Sequence, residues 1–210
     1  MVRKSIALGG VVIAVGMAVS FLSVLLARSV RIAPSMPTAQ INMPAPSFEL
    51  KDTDGNTIRL ADLRGGIVVL MFTDPRCSTS NAYSDRINQL VERYEDEPQV
   101  RFLAVSSRPN AGEQQHLREL RVLRRTLDQK FPTLIDADGK AAADFGVTVT
   151  PTFYVIGNYG ILRYAGAFDD GTPEAAQQPS YVQLAIERAL RGESPDVTET
   201  RAFGCPLQTR

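Results

Sequence analysis

The sequence predicts an α/β sandwich on a mixed sheet, with one N-terminal membrane-spanning helix ahead of it. Three observations predict this. Residues 67–72 are continuously apolar and rich in β-branched side chains, as a strand covered on both faces is, and residues 100–105 form a second apolar strand. Each is followed by a stretch with apolar residues at helical spacing. Residues 6–27 carry no charge. At about 1.5 Å per residue such a helix just crosses a hydrocarbon core of roughly 30 Å.

The segment 1–28 leaves two readings, an uncleaved signal anchor or a cleaved secretory signal. The anchor is preferred because the apolar stretch is long and no small-x-small cleavage site follows it. Arg3 and Lys4 precede the stretch, and Arg28 and Arg31 follow it, so the positive-inside balance is nearly even. The orientation taken is N-terminus inside. That makes a single-pass cell-membrane protein with its domain on the extracytoplasmic (periplasmic) side, where disulfides persist. Residues 29–46 hold Pro34, Pro37, Pro44 and Pro46 and read as an extended tether. The domain is expected over 47–192, with a tail at 193–210.

Within the domain, Asp54-Gly55-Asn56 is a turn between short strands at 48–50 and 57–60. After the first long strand, Tyr83, Ile87, Leu90, Val91 and Tyr94 recur at helical spacing. Leu117, Leu120, Leu123 and Leu127 mark a second helix starting near Gly112. A short strand at 133–135 and a small helix at 141–145 follow. Residues 151–156 and 161–165 flank Gly157-Asn158-Tyr159-Gly160 as a hairpin, and Val182, Ala185, Ile186, Ala189 and Leu190 form the last helical face.

The 23 basic and 23 acidic residues cancel, which excludes the basic excess of a nucleic-acid binder. There is one histidine, His116, which is read as a surface residue of the second helix. No cysteine–histidine cluster has metal-ligand spacing, so no metal and no cofactor is expected. Arg118, Arg121, Arg124 and Arg125 read as a solvated helix face. Asp136-Ala-Asp-Gly139 lacks the later ligands of a calcium loop and reads as a turn.

Two cysteines carry the chemistry, Cys77 and Cys205. Cys77 falls where the first long strand gives way to a helix. Its sulfur there meets free backbone N–H groups, which favour thiolate over thiol. The local motif is Cys77-Ser78-Thr79-Ser80, so Ser80 stands where a Cys-x-x-Cys pair has its second thiol. A thiolate at 77 can attack a disulfide or an oxidant, but Ser80 cannot resolve the adduct. Arg76 favours the thiolate and Asp74 opposes it. Pro151, in Thr150-Pro151-Thr152, opens another apolar strand.

Cys77 after a buried strand, Thr150-Pro151-Thr152 before another, the hairpin and the closing helix resemble a thioredoxin-fold protein. Residues 47–191 resemble the redoxin (AhpC/TSA) branch, including Ala45-Pro46-Ser47-Phe48 and Asp54-Gly55. The peroxiredoxin-like thioredoxin-family group is matched in two further places. These are Ala82-Tyr83-Ser84-Asp85-Arg86 and the C-terminal Thr200-Arg-Ala-Phe-Gly-Cys205. The resemblance implies a thioredoxin-like mixed-sheet sandwich with helices on both faces and a cis Thr150–Pro151 bond facing Cys77. It also implies a Thr150 backbone that pairs with an incoming peptide. Cys77 is then the nucleophile, and Cys205 a resolving or a structural partner 128 residues away. Thr150, Pro151, Arg76 and Ser80 shape the substrate site.

The implied function is thiol–disulfide exchange with protein thiols and disulfides or a small oxidant. Alternatives are a non-catalytic scaffold with a static Cys77–Cys205 disulfide and a one-cysteine peroxidase. The sequence departs from the peroxiredoxin Pro-x-x-x-Thr-x-x-Cys pattern, with Leu70 and Asp74 at its first two fixed positions. Met71 stands where thioredoxin has a buried acid.

Overall fold

The computed structural model describes residues 39–171 and 178–207. The expected membrane segment at 1–28 and the first ten residues of the expected tether lie outside the described residues. Among the described residues, no helix is long and apolar enough to cross a membrane.

The chain runs β1 (Glu49–Asp52), β2 (Thr57–Arg59), a 3-10 turn (Leu60–Leu63), β3 (Ile67–Thr73), α1 (Ser78–Ala82), α2 (Ser84–Arg93) and β4 (Val100–Ser107). It continues through α3 (Glu113–Thr126), β5 (Thr133–Asp136), α4 (Lys140–Phe145), β6 (Val149–Thr150), β7 (Thr152–Ile156), β8 (Leu162–Gly166), α5 (Tyr181–Leu190) and β9 (Cys205–Pro206). The main sheet has seven strands among the described residues, in the order β2-β1-β5-β4-β3-β7-β8. β3, β4 and β5 run parallel, whereas β7 lies antiparallel to β3 and β8 to β7.

The central strand β3 is buried at all seven positions. Its side chains alternate between the two faces, as a period of two dictates. Ile67, Val69 and Met71 pack with Phe102, Phe153 and Val155 against Ile87 and Leu90 of α2 and Val182, Ala185 and Ile186 of α5. Val68, Leu70 and Phe72 face the other way and pack with Leu103, Val105 and Tyr154 against Ala141, Ala142 and Phe145 of α4. Each such side chain contributes about 1.5–3 kcal/mol on full burial. The helices on both faces are therefore fixed by one uninterrupted apolar run.

The structure corrects several sequence expectations. The tether read at 29–46 is packed from residue 39 onward. The Ala45 and Asn42 amides donate to the Gly160 and Leu162 carbonyls, both at 2.9 Å. Ala39, Ile41 and Ala45 lie against the core, because the edge of the hairpin needs a cover that these small apolar residues supply. The tail expected at 193–210, which carries Cys205, is tied down over its described residues, as set out below.

The helical face expected through 83–94 is α2, but the helical stretch that starts after Cys77 is broken at Tyr83, where α1 and α2 meet and the Tyr83 side chain turns to Asp169. His116, read as a surface residue, is 1% exposed and its Nε2 lies 2.9 Å from Ser106 Oγ. It points inward because position 116 shares the inner face of α3 with Leu120. Burial first, and then the Arg108 charge, hold its pKa below the usual 6.5.

Two of the four arginines read as a solvated face reach back to the domain. Arg121 donates to the Thr53 carbonyl and Arg124 to Asp54. Asp136 caps α4 by accepting from the Ala141 and Ala142 amides, and it also accepts a hydrogen bond from the Ser107 hydroxyl at 2.5 Å.

Candidate active site

β3 ends at Thr73, and the Asp74-Pro75-Arg76 turn carries the chain into α1. The turn is closed by the Cys77 amide on the Asp74 carbonyl at 2.9 Å and by the Arg76 amide on Asp74 Oδ1 at 2.8 Å. Cys77 is the N-cap of α1, with extended backbone angles of −81° and 111°. Its Sγ accepts from the Ser80 amide at 3.4 Å, a role usually taken by a serine or aspartate oxygen. The residue is 1% exposed.

β6 and β7 face this cap and are joined by a cis Thr150–Pro151 bond. The Thr150 carbonyl oxygen lies 3.1 Å from Cys77 Sγ. β9 pairs antiparallel with β6, setting Cys205 opposite Thr150 and Pro206 opposite Val149. Cys205 is bonded to Cys77, with 5.6 Å between the α-carbons. Unlike Cys77, Cys205 is partly exposed.

The tail reaches this position by a chain of contacts. The Ala165 amide donates to the Thr198 carbonyl at 3.0 Å, and the Thr200 amide to the Ala165 carbonyl at 3.1 Å. Thr200 Oγ1 bonds Tyr164 Oη at 2.6 Å and accepts from the Ala167 amide at 2.9 Å. The Phe203 ring packs 6.4 Å from that of Tyr83. Gly204 has φ +144°, and a β-carbon there would overlap the Thr150 carbonyl, so only glycine lets β9 approach so closely. Leu207 is buried, and its amide donates to the Thr148 carbonyl at 2.8 Å.

The structure therefore brings Cys77, Cys205, Thr150, Pro151 and Ser80 together. Arg76 is oriented elsewhere. It is exposed and binds Glu119 Oε1 at 2.9 Å. Arg76 first, with help from Gln115 and Arg108, holds the Glu119 carboxyl down at about 2. The hydroxyls of Ser80 and Thr150 are both buried without a hydrogen-bond partner, although the backbones of these two residues touch the Cys77 sulfur.

Several contributors are not evident from sequence. Asp169, 4% exposed, accepts from Tyr83 Oη at 2.7 Å and pairs with Arg86. Desolvation, followed by this hydrogen bond, raises the Tyr83 pKa. The Arg86 guanidinium lies 5.2 Å from the Phe168 ring centre, within cation–π range. The Ala-Tyr-x-x-Arg motif thus builds the wall on which Phe203 of the C-terminal motif rests. No local pattern marks Asp169 as its partner. Gly204 could have been suspected, since it directly precedes the cysteine.

Residues 41–165 match the sequence profile of the AhpC/TSA family. The chain belongs to the AhpC/TSA family. Within this thioredoxin-like branch it is similar to the thiol-disulfide oxidoreductase ResA of Bacillus thuringiensis subsp. konkukian (strain 97-27). Identity there is 28% over 121 residues, which is 58% of this chain and 66% of the relative. The chain thus spans just under two thirds of that relative's length. It is also 27% identical over 182 residues to the thiol:disulfide interchange protein DsbE of Pseudomonas aeruginosa, covering 80% of this chain and 91% of the relative. Among solved structures, an uncharacterized conserved protein from Geobacillus kaustophilus superposes with a TM-score of 0.73 at 23% identity. It covers 84% of this chain and 94% of its own, and it supports the fold alone. In this AhpC/TSA member the two cysteines are bonded to each other.

Proposed function

We propose that the protein is a membrane-tethered thiol–disulfide oxidoreductase with Cys77 as nucleophile and Cys205 as resolving thiol. The observation that carries this is the Cys77–Cys205 bond at the N-cap of α1, opposite the Thr150–Pro151 loop. The similarity to ResA and DsbE supports the reaction class. The uncharged segment 6–27 supports the tether and, with it, an extracytoplasmic domain.

In the reduced protein, the Cys77 thiolate attacks one sulfur of a substrate protein disulfide. A mixed disulfide forms and the other substrate sulfur leaves as a thiol. The Cys205 thiolate then attacks Cys77 Sγ, the second substrate sulfur leaves, and Cys77–Cys205 closes. The substrate gains two electrons and the protein loses two. The Ser80 amide holds the thiolate at 77, and Thr150 and Pro151 form the opposite wall. The Thr198 and Thr200 anchors keep Cys205 close when the bond is open, which raises its effective concentration at Cys77.

Reduction of a model protein disulfide by dithiothreitol tests this reading. Wild type accelerates the reaction, Cys77→Ser does not, and Cys205→Ser accumulates a substrate adduct on Cys77. A second reading, a static structural disulfide, is favoured by the 1% exposure of Cys77 and by the anchored tail. In that case both variants leave the rate at that of dithiothreitol alone, as does the wild type.

A further inference from the structure

We infer that external thiols enter the oxidised protein at Cys205 rather than at Cys77, with Cys77 as the leaving sulfur. This rests on the redox reading above and assigns its polarity. A thiolate attacks a disulfide sulfur in line with the S–S bond, from the side away from the sulfur that leaves, so access decides which sulfur is hit.

For Cys77 that side is protein. The residue is 1% exposed, and its sulfur is held between the Ser80 amide at 3.4 Å and the Thr150 carbonyl at 3.1 Å. The Thr150 backbone, where a partner strand would pair, is already paired with β9. Gly204 packs β9 onto that carbonyl with no room for even a methyl group. Cys205, on the outer strand, is the partly exposed partner.

The leaving side agrees with the access. When the bond breaks, its electron pair stays on Cys77 Sγ, which the Ser80 amide already faces. Ser80 and Thr150 also each carry a buried hydroxyl with no partner in the oxidised state. A thiolate leaving Cys205 would meet solvent and none of these groups.

The balanced step is as follows. The attacking thiolate forms a new S–S bond to Cys205, the Cys77–Cys205 bond breaks, and Cys77 becomes a thiolate. A second thiol attacks the adduct sulfur, leaves as a small disulfide and returns Cys205 as a thiol. Two thiols are oxidised and one disulfide is reduced. The reductant is thus a low-molecular-weight thiol, or a protein thiol that needs no seat on Thr150. The Thr150 groove opens to a peptide only after β9 is released.

The test is brief exposure of the oxidised full-length chain to reduced glutathione, quenched in acid with N-ethylmaleimide and mapped by peptide mass spectrometry. Glutathione is expected on Cys205 and maleimide on Cys77, by about tenfold over the reverse pattern. In Gly204→Ala, where β9 must lift from Thr150, the share of glutathione on Cys77 is expected to rise. Glutathione chiefly on wild-type Cys77, or a Gly204→Ala pattern identical to wild type, overturns the inference while leaving the redox reading intact. No adduct on either cysteine, with dithiothreitol also inert, overturns that reading and the inference with it.

Discussion

Thr150 and Cys205 are register partners in a two-residue antiparallel ladder, and the carbonyl of Thr150 also lies 3.1 Å from the sulfur bonded to Cys205. One backbone unit therefore serves the cis-proline loop, the tail strand and the buried cysteine together. The tail occupies the place where the sequence reading put an incoming peptide.

The disulfide links positions 128 residues apart. Closing so long a loop restrains the unfolded chain, and Cys205→Ser should lower stability by about 2–5 kcal/mol. Urea unfolding of the variant, compared with oxidised and reduced wild type, checks this. Reduced wild type should resemble the variant.

Ser80→Ala removes a buried hydroxyl that has no partner while the disulfide is closed. The oxidised protein should lose no stability and can gain about 1 kcal/mol, since an unsatisfied buried group is a cost. Reduction by dithiothreitol should keep its wild-type rate, because the Ser80 amide that faces the Cys77 sulfur is retained. Parallel denaturation and stopped-flow reduction check both outcomes.

His116 is buried against Ser106, with Arg108, Asp74, Glu119 and Arg76 as its charged surroundings. Its pKa is depressed on folding, so between that value and the ordinary 6.5 the unfolded chain binds more protons. Stability should thus be fully present above pH 6.5 and fall as the pH drops below it. Denaturation midpoints between pH 5 and 8 measure the slope, and His116→Gln should flatten it. Glu119, held at about 2, acts in a separate window: its contribution is lost between its ordinary 4.5 and that value.

Asp169 is almost fully buried and paired with Arg86. Arg86→Ala leaves that carboxylate with the Tyr83 hydroxyl and the Gly171 amide. The expected loss is about 3 kcal/mol, as for one partner removed from a buried pair. Because Phe203 rests on Tyr83, the tail should loosen as well, and reduction of the disulfide by glutathione should accelerate. Unfolding and reduction rates of the variant test both parts.

Much of the fold was legible because β3 and β4 are long apolar runs whose burial on both faces forces helices onto each side. The N-cap position of Cys77 followed from the same strand-to-helix change. Sequence patterns report faces and boundaries, but not which distant segments meet. His116 looked exposed because its flanks, Gln115 and Leu117, mark no buried position for it, yet it shares a helical face with Leu120. The packing of 39–46 was hidden because prolines suited to a tether equally suit an extended strap. The role of Gly204 depends on a carbonyl 54 residues earlier in the chain, and Asp169 lies 86 residues beyond Tyr83; neither spacing leaves a local trace.

The central claim is that Cys77–Cys205 is a reversible redox pair with Cys77 as its nucleophile. Turnover of a protein disulfide by the full-length chain with dithiothreitol as reductant tests it most directly. The account predicts acceleration by wild type, none by Cys77→Ser, and a trapped Cys77–substrate adduct with Cys205→Ser. Turnover by Cys77→Ser equal to that of wild type would contradict it.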